Sequence, residues 1–319
     1  MTDAQTGQWL GPEISPVIAR LEHWDRCRDR NGNEFWACNF RSPDNTYATR
    51  TWPRDAGVSV PDDLVVGQWY ALVPGANGLR TNSLNRLSVL CPIAEVVHMF
   101  EWPAGFESEF GYHWWAFSGW LREIPCPMLQ AFVVQVFLDR NTRERFFTWQ
   151  ASRSHHHSYP GGLAEHSVEV ARRVAGDPLG FEPLERWVGS VAGLLHDIGK
   201  IRTMRSDGSR PPGDLPIDHE VLTLSVLSAP LEWLDRAAPE AAKMMRYVLS
   251  WSSEKERRPL LPVAMAVRES DRVSAALNAR KLAFGKVPSW RQLAVLDGPG
   301  PRSWFWRSAG HSRKRLLSA

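Results

Sequence analysis

The chain of 319 residues has four cysteines, Cys27, Cys38, Cys91 and Cys126, and none stands in a CxxC pair or close to another. That spacing indicates neither a zinc knuckle nor a disulfide scaffold, and it suits a reducing compartment. Long hydrophobic runs are lacking too. No stretch reaches the roughly 18 apolar residues that a membrane helix needs, and no charged-then-apolar leader opens the chain. The expectation is a cytoplasmic protein with no membrane partner. Excess charge is also missing, since a net charge of +3 is too small to argue for nucleic acid by itself. What is present is ordinary globular material, 43% hydrophobic and 23% charged, enough for about two domains and a good core. Sixteen tryptophans are many; most suit packing, though aromatic rings are also what stacks on bases.

The stretch that organises the rest is 192–200, an apolar run ending in His196 and Asp197, then Gly199 and Lys200. Two metal-ligand side chains side by side at the end of a buried helix would cost several kcal/mol unpaired, so a bound ion is their natural partner. The competing reading is an Asp that caps the next turn with a His packed beside it. Upstream, His166 opens an amphipathic run with apolar residues at Leu163, Val170, Ala171 and Val174, and downstream Asp271 sits inside another helical apolar pattern. Imidazole and carboxylate together suit a divalent transition ion, and three helices can converge them on one centre.

Residues 1–15 read as a loose lead-in. From 16 to 95 the pattern is five short strand-like runs, 17–27, 34–41, 46–52, 68–73 and 84–90, the first two joined at Asn31-Gly32, which tolerates positive φ. A small Greek-key barrel of the OB type is the leading expectation. Its rings Phe35, Trp36, Tyr47 and Trp52 either stack on bases or fill the interior. Arg28, Arg30, Arg41 and Arg50 either follow a phosphate backbone or solvate the outside. A Pro/Gly cluster at 101–105 marks a boundary inside a connector, 96–160, with helices over 114–123 and 128–138, the second readable also as a buried strand. His155, His156 and His157 follow, as a polar loop or as imidazoles lining the same cleft as the ion.

The body, 161–290, is expected to be all helix. Gly161-Gly162 precedes the helix of His166, residues 185–200 form the next, and another starts near Asp218 and His219. Lys200 lies one turn past His196, as a phosphate contact or a solvated charge. The remainder, 291–319, reads as a basic aromatic tail, with Arg302, Arg307, Arg313, Lys314 and Arg315 around Trp304, Phe305 and Trp306, either gripping a nucleic-acid backbone or disordered. The fold class expected is α+β, a small N-terminal β-barrel followed by an all-α domain.

The order His, His-Asp, Asp on successive helices resembles the HD superfamily of metal-dependent phosphohydrolases. The resemblance implies His166, His196, Asp197 and Asp271 as ligands of a divalent ion, Mn, Mg, Fe or Ni. Members with two metals use two extra histidines before the final Asp. His219 matches the first, but the place of the second, near 249–254, holds Trp251 and Ser252, so one ion is expected, with any second one weak and helped by Glu254. A barrel and helical connector leading into His-His-His and Gly-Gly-Leu-Ala-Glu-His resemble the YhaM-type 3'-to-5' exoribonucleases over most of 16–280. That resemblance implies a barrel guiding single-stranded RNA or DNA and a site hydrolysing phosphodiesters from the 3' end. Asp197 would orient the water, and Lys200, His156 or His157 would offset developing charge. The same segments also resemble the TraI-like relaxase domain of conjugative elements. A nucleic-acid-binding module with a decayed HD site, a nucleotide phosphohydrolase, and a homo-oligomer stay open.

Overall fold

In the computed structural model the described residues are 16–52, 63–74, 84–153, 156–177, 180–211, 215–251, 258–297 and 302–308. The expected lead-in at 1–15, together with His155, Ser252, Glu254, Arg313, Lys314 and Arg315, lies outside them. The architecture is mixed: a five-stranded sheet unit, then a helical body.

The strands are β1 (Val17–Arg28), β2 (Glu34–Arg41), β3 (Thr46–Thr51), β4 (Trp69–Pro74) and β5 (Leu84–Pro92). The β1–β2 turn forms because Gly32 takes φ 81° and the Asp29 carboxylate accepts from the backbone N–H groups of Asn31 and Asn33, each at 2.9 Å. Ladders run β1-β2-β3-β5-β4, and β4 pairs back with β1; all are antiparallel except a short parallel β3–β5 pairing from Ala48↔Leu84 to Arg50↔Arg86. Strict alternation along β3 puts Tyr47, Thr49 and Thr51 inside and Thr46, Ala48 and Arg50 outside.

Burial decides between the two readings of the aromatic rings. Phe35, Trp36 and Tyr47 are buried, Trp36 and Tyr47 in a core with Leu21, Phe40, Tyr70 and Leu72, so these three are not free to stack on bases. Trp52 is half-buried, its ring 5.2 Å from Phe35 and its Nε1 donating to Asp29. Arg28, Arg30, Arg41 and Arg50 are exposed.

A 3-10 segment, Ile93–Met99, leads to α1 (Phe106–Glu123), α2 (Pro127–Leu138) and α3 (Arg140–Thr148). The first begins eight residues before the expected start, because Phe106 and Phe110 extend the buried stripe of Trp114, Phe117 and Leu121 back by two turns, and Gly105 at φ 87° turns the chain into it. The 128–138 run is a helix and not a strand; both its faces are buried, which hid its period. Asp139 caps α3 by accepting from Thr142 N at 2.7 Å.

The body holds α4 (Gly162–Ala175), α5 (Pro183–Leu195), a single turn α6 (Lys200–Thr203), α7 (His219–Val226), α8 (Ser228–Ala237), α9 (Pro239–Ser250) and α10 (Val263–Phe284). One continuous core joins it to the connector and to one face of the sheet, where Trp69 meets Trp233 of α8 edge to face and Asp44 pairs with Arg236 at 2.6 Å. The expected helix over 185–200 is corrected: α5 stops at Leu195, and 196–199 is a turn. The expected tail is corrected in part as well. Leu293–Leu296 (β6) and Ser303–Trp306 (β7) form a hairpin, and Arg307 lies 4.3 Å over the Phe284 ring of α10. Among the described residues no helix is long and apolar enough to cross a membrane.

Candidate metal centre

Three helices meet where small residues let their backbones close up. A Cβ on Gly193 of α5 would stand 3.1 Å from Val170 of α4, and one on Gly189 would stand 2.2 Å from Val263 of α10. Packed so, α4 brings His166, α10 brings Asp271, and the turn after α5 brings His196 and Asp197. The turn is itself clamped. A Cβ on Gly199 would fall 2.0 Å from the His219 carbonyl, so only glycine allows α7 this close. Thr223 adds its hydroxyl to the clamp, accepting from Gly199 N–H at 3.1 Å.

The double glycine ahead of α4 has a similar cause. Gly161 is left-handed at φ 78°, and a Cβ on Gly162 would lie 2.1 Å from the His157 carbonyl. The loop backbone therefore crosses the start of α4 and lays two imidazoles beside His166, with ring centroids at 4.9 Å for His156 and 5.2 Å for His157.

At the centre, His166 Nε2 stands 3.1 Å from Asp271 Oδ1 and 3.6 Å from Asp197 Oδ2, while His196 Nε2 stands 3.4 Å from Asp197 Oδ2 and 3.7 Å from Asp271 Oδ1. Both Nε2 atoms are buried, and neither makes a hydrogen bond despite these neighbours. Their other nitrogens are engaged. His196 Nδ1 lies 2.8 Å from the Gly193 carbonyl, which makes it the protonated nitrogen. His166 Nδ1 meets Ser274 Oγ at 3.0 Å, and that hydroxyl donates to Glu169 Oε2 at 2.6 Å, so His166 must donate to the serine. Both rings thus turn a bare Nε2 toward two carboxylates.

Two unbonded imidazole nitrogens with carboxylate oxygens 3 to 4 Å from them are what an ion needs, since ligands on bonds of about 2.1 Å stand about 3.0 Å apart at right angles. The orphaned Nε2 atoms and the mixed nitrogen and oxygen set fit a divalent transition ion. The electrostatics of both aspartates and of His166 agree. Burial works to raise Asp197, but His196 and Lys200 hold it well below the usual carboxylate range. Burial likewise opposes ionisation of Asp271, and contacts with His166 and His196 bring it down. His166 is lowered chiefly by burial, which favours the neutral imidazole that a metal requires. Burial works to lower His196, but Asp197 and Asp271 raise it, so an ion bound there displaces a proton.

Around this centre, Lys200 Nζ donates to Asp197 Oδ2. His219, half-buried at the start of α7, approaches the other oxygen, Oδ1, at 3.0 Å. It therefore faces away from the Oδ2 that the two central histidines share. His156 is near enough to feel His166, Lys200 and Asp197, and burial first, then the charges of His166 and Lys200, push it down to about 4. His157 is turned elsewhere: its Nε2 lies 3.5 Å from Glu169. Trp251, where a second extra histidine would stand, is buried, and its carbonyl accepts from Arg268. Ser274, Glu169 and Thr223 escaped the sequence reading. Ser274 sits three residues after Asp271 and Glu169 three after His166, which was the signal available.

Residues 163–276 match the family HD domain. No curated protein and no solved structure matches the chain. The HD domain supports a metal-dependent phosphohydrolase, and the His/Asp cluster at its heart is one that could hold the ion.

Proposed function

We propose, from an HD domain whose four motif residues converge, that the protein is a metal-dependent phosphodiesterase acting on single-stranded nucleic acid, as a 3'-to-5' exonuclease. The observation that carries the hydrolase part is the pair of buried, unbonded Nε2 atoms of His166 and His196 facing Asp197 and Asp271. When bound there, a divalent ion supplies Lewis-acid polarisation of a phosphoryl oxygen and makes hydroxide available at neutral pH. The chain's own groups do the rest. Asp197 stays ionised under Lys200 and orients the attacking water. Lys200 supplies a cation for a phosphate oxygen, and neutral His156 offers a hydrogen-bonding nitrogen at the same rim. His219 orients Asp197 through Oδ1. One ion is the working number, because Trp251 fills the place of a further ligand.

The nucleic-acid part is supported by the sheet unit, whose strand order and parallel β3–β5 pairing suit an OB-like fold, and by its exposed Arg28, Arg30, Arg41 and Arg50. With the sheet's own rings buried, stacking falls to the exposed Trp290, Trp304 and Trp306 at the C-terminal hairpin, where Arg302 lies 5.9 Å over the Trp304 ring. In this reading 16–95 guides the strand, 96–160 connects, and 161–290 cuts.

The test is incubation of purified protein with 5'-labelled single-stranded RNA and DNA and Mn²⁺, beside Asp197→Ala. Stepwise shortening from the 3' end, lost in the variant, is expected. Intact oligonucleotides with metal-loaded protein would remove the nuclease reading, and turnover of free nucleotides alone would replace it.

A further inference from the structure

Behind His166, on the side of α4 away from Asp197, lies a second group of donors that the centre does not use. We propose that His157, Glu165 and Glu169 form a separate site for a first-row divalent transition ion such as Zn²⁺ or Mn²⁺. One ligand atom from each lies within 4.8 Å of the other two. The decisive member is His157, which is 1% exposed with neither ring nitrogen hydrogen-bonded, a costly state for an imidazole. Its backbone leaves it little choice: φ is 49°, its N–H donates to Asn278 Oδ1 at 2.9 Å, and its carbonyl is pinned by Ala151 N–H and the start of α4. The ring is aimed at the carboxylates by the fold.

The two glutamates are one turn apart on α4, so they share a face. Each has one oxygen already occupied. Tyr159 donates to Glu165 Oε2 at 2.9 Å and Ser274 to Glu169 Oε2 at 2.6 Å, the same Glu169 oxygen that stands 3.5 Å from His157 Nε2, and each carboxylate keeps further lone pairs for a ligand. Arg172, the nearest cation on the helix, is committed to Glu123 and to the Ala116 carbonyl. On α1, His113 presents a buried, unbonded Nδ1 at 3.9 Å from Glu165 Oε2, a fourth donor at the edge of the group. A cavity of about 140 Å³ lined by Tyr112, His113, Glu165 and Glu169 gives an ion its path in. Imidazole with carboxylate selects a transition ion over Mg²⁺ or Ca²⁺. Four protein donors leave little room for substrate, so the ion fastens α1, α4 and the histidine loop together. This assignment does not depend on the substrate of the main centre.

The experiment counts ions. Full-length protein is stripped with chelator, reloaded with Zn²⁺, desalted and measured by elemental mass spectrometry, with circular dichroism to show that each variant is folded. The unsubstituted protein is expected to hold about two ions per chain, Asp271→Ala one, Glu165→Ala one, and the double variant none. Should Glu165→Ala misfold, Glu165→Gln serves in its place. A count unchanged in the Glu165 variants, or a folded Asp271→Ala that holds no ion, would overturn the second site. A nuclease assay failing while the counts hold would instead remove the function proposed above.

Discussion

Two clusters of rings in this protein are packed in the same way. In the connector, Trp114, Phe117, Phe137, Phe146 and Phe147 stand with centroids 5.0 to 5.6 Å from one another, mostly edge to face or tilted. In the body, His156, His157, His166 and His196 stand with centroids 4.9 to 5.7 Å apart in similar arrangements. The first cluster is complete as it is. Its nearby polar group, Trp120 Nε1, donates to Ser190 Oγ at 3.0 Å, and that hydroxyl passes on to the Ala171 carbonyl. The second has nitrogens without hydrogen bonds on all four rings. Burial alone therefore does not mark a functional site. Several unbonded nitrogens gathered from different elements do, where single orphaned atoms such as Arg143 Nε and Trp251 Nε1 do not, because a ligand can satisfy the group together.

The sharpest way to break the comparison is to remove a ligand. Asp271→Ala is expected to weaken Mn²⁺ or Zn²⁺ binding at the main centre on the order of a thousandfold, well past the roughly 10- to 100-fold typical of an outer partner. Isothermal titration reads it, and the fold should persist by circular dichroism. Damage to the complete cluster should show the opposite pattern. Trp120→Ala costs about 3–5 kcal/mol in denaturant unfolding, from a fully buried ring and a severed hydrogen bond, with the ion count unchanged in whatever stays folded. An intermediate case sharpens the line: Ser274→Ala frees the tautomer of His166 and is expected to lower metal affinity about 10- to 100-fold.

The smallest effect comes from the sheet. Burial pushes the Cys38 thiol up to about 12, and burial does the same to Cys91. Both keep their neutral form in the fold, so their contribution is full below the unfolded thiol value and is lost as pH rises from about 9 toward 12. Thermal melts should fall across that window, and native protein at pH 8 should alkylate slowly at these two positions. Rapid modification would show that the sheet opens.

The strands were legible in the sequence because turn chemistry set their ends: Asn31-Gly32 and the Ser42 to Asn45 turn bracket β2 as read. So was the set that the fold brings together, since His166, His196, Asp197 and Asp271 carry their identity in residue type and order. What could not be read depended on what lies across from each residue. Alternation says that about half the sheet's rings face inward, and only the pairing decides that Trp36 and Tyr47 are among them, while Phe35 is covered on the other face by Trp52 and Arg50. The end of α5 at Leu195 was hidden because Ile198 keeps the helical apolar period while Gly199 is required by α7, a partner 20 residues on. The role of Glu169 was hidden for the same reason, as its contacts, Ser274 and His157, come from other elements.

The account rests on a shared cation among His166, His196, Asp197 and Asp271, and anomalous diffraction from crystals grown with Mn²⁺ measures it most directly. The account predicts a strong peak at roughly 2.0–2.3 Å from both Nε2 atoms and from an oxygen of each aspartate. A map with manganese elsewhere and those four side chains joined only to one another would contradict it.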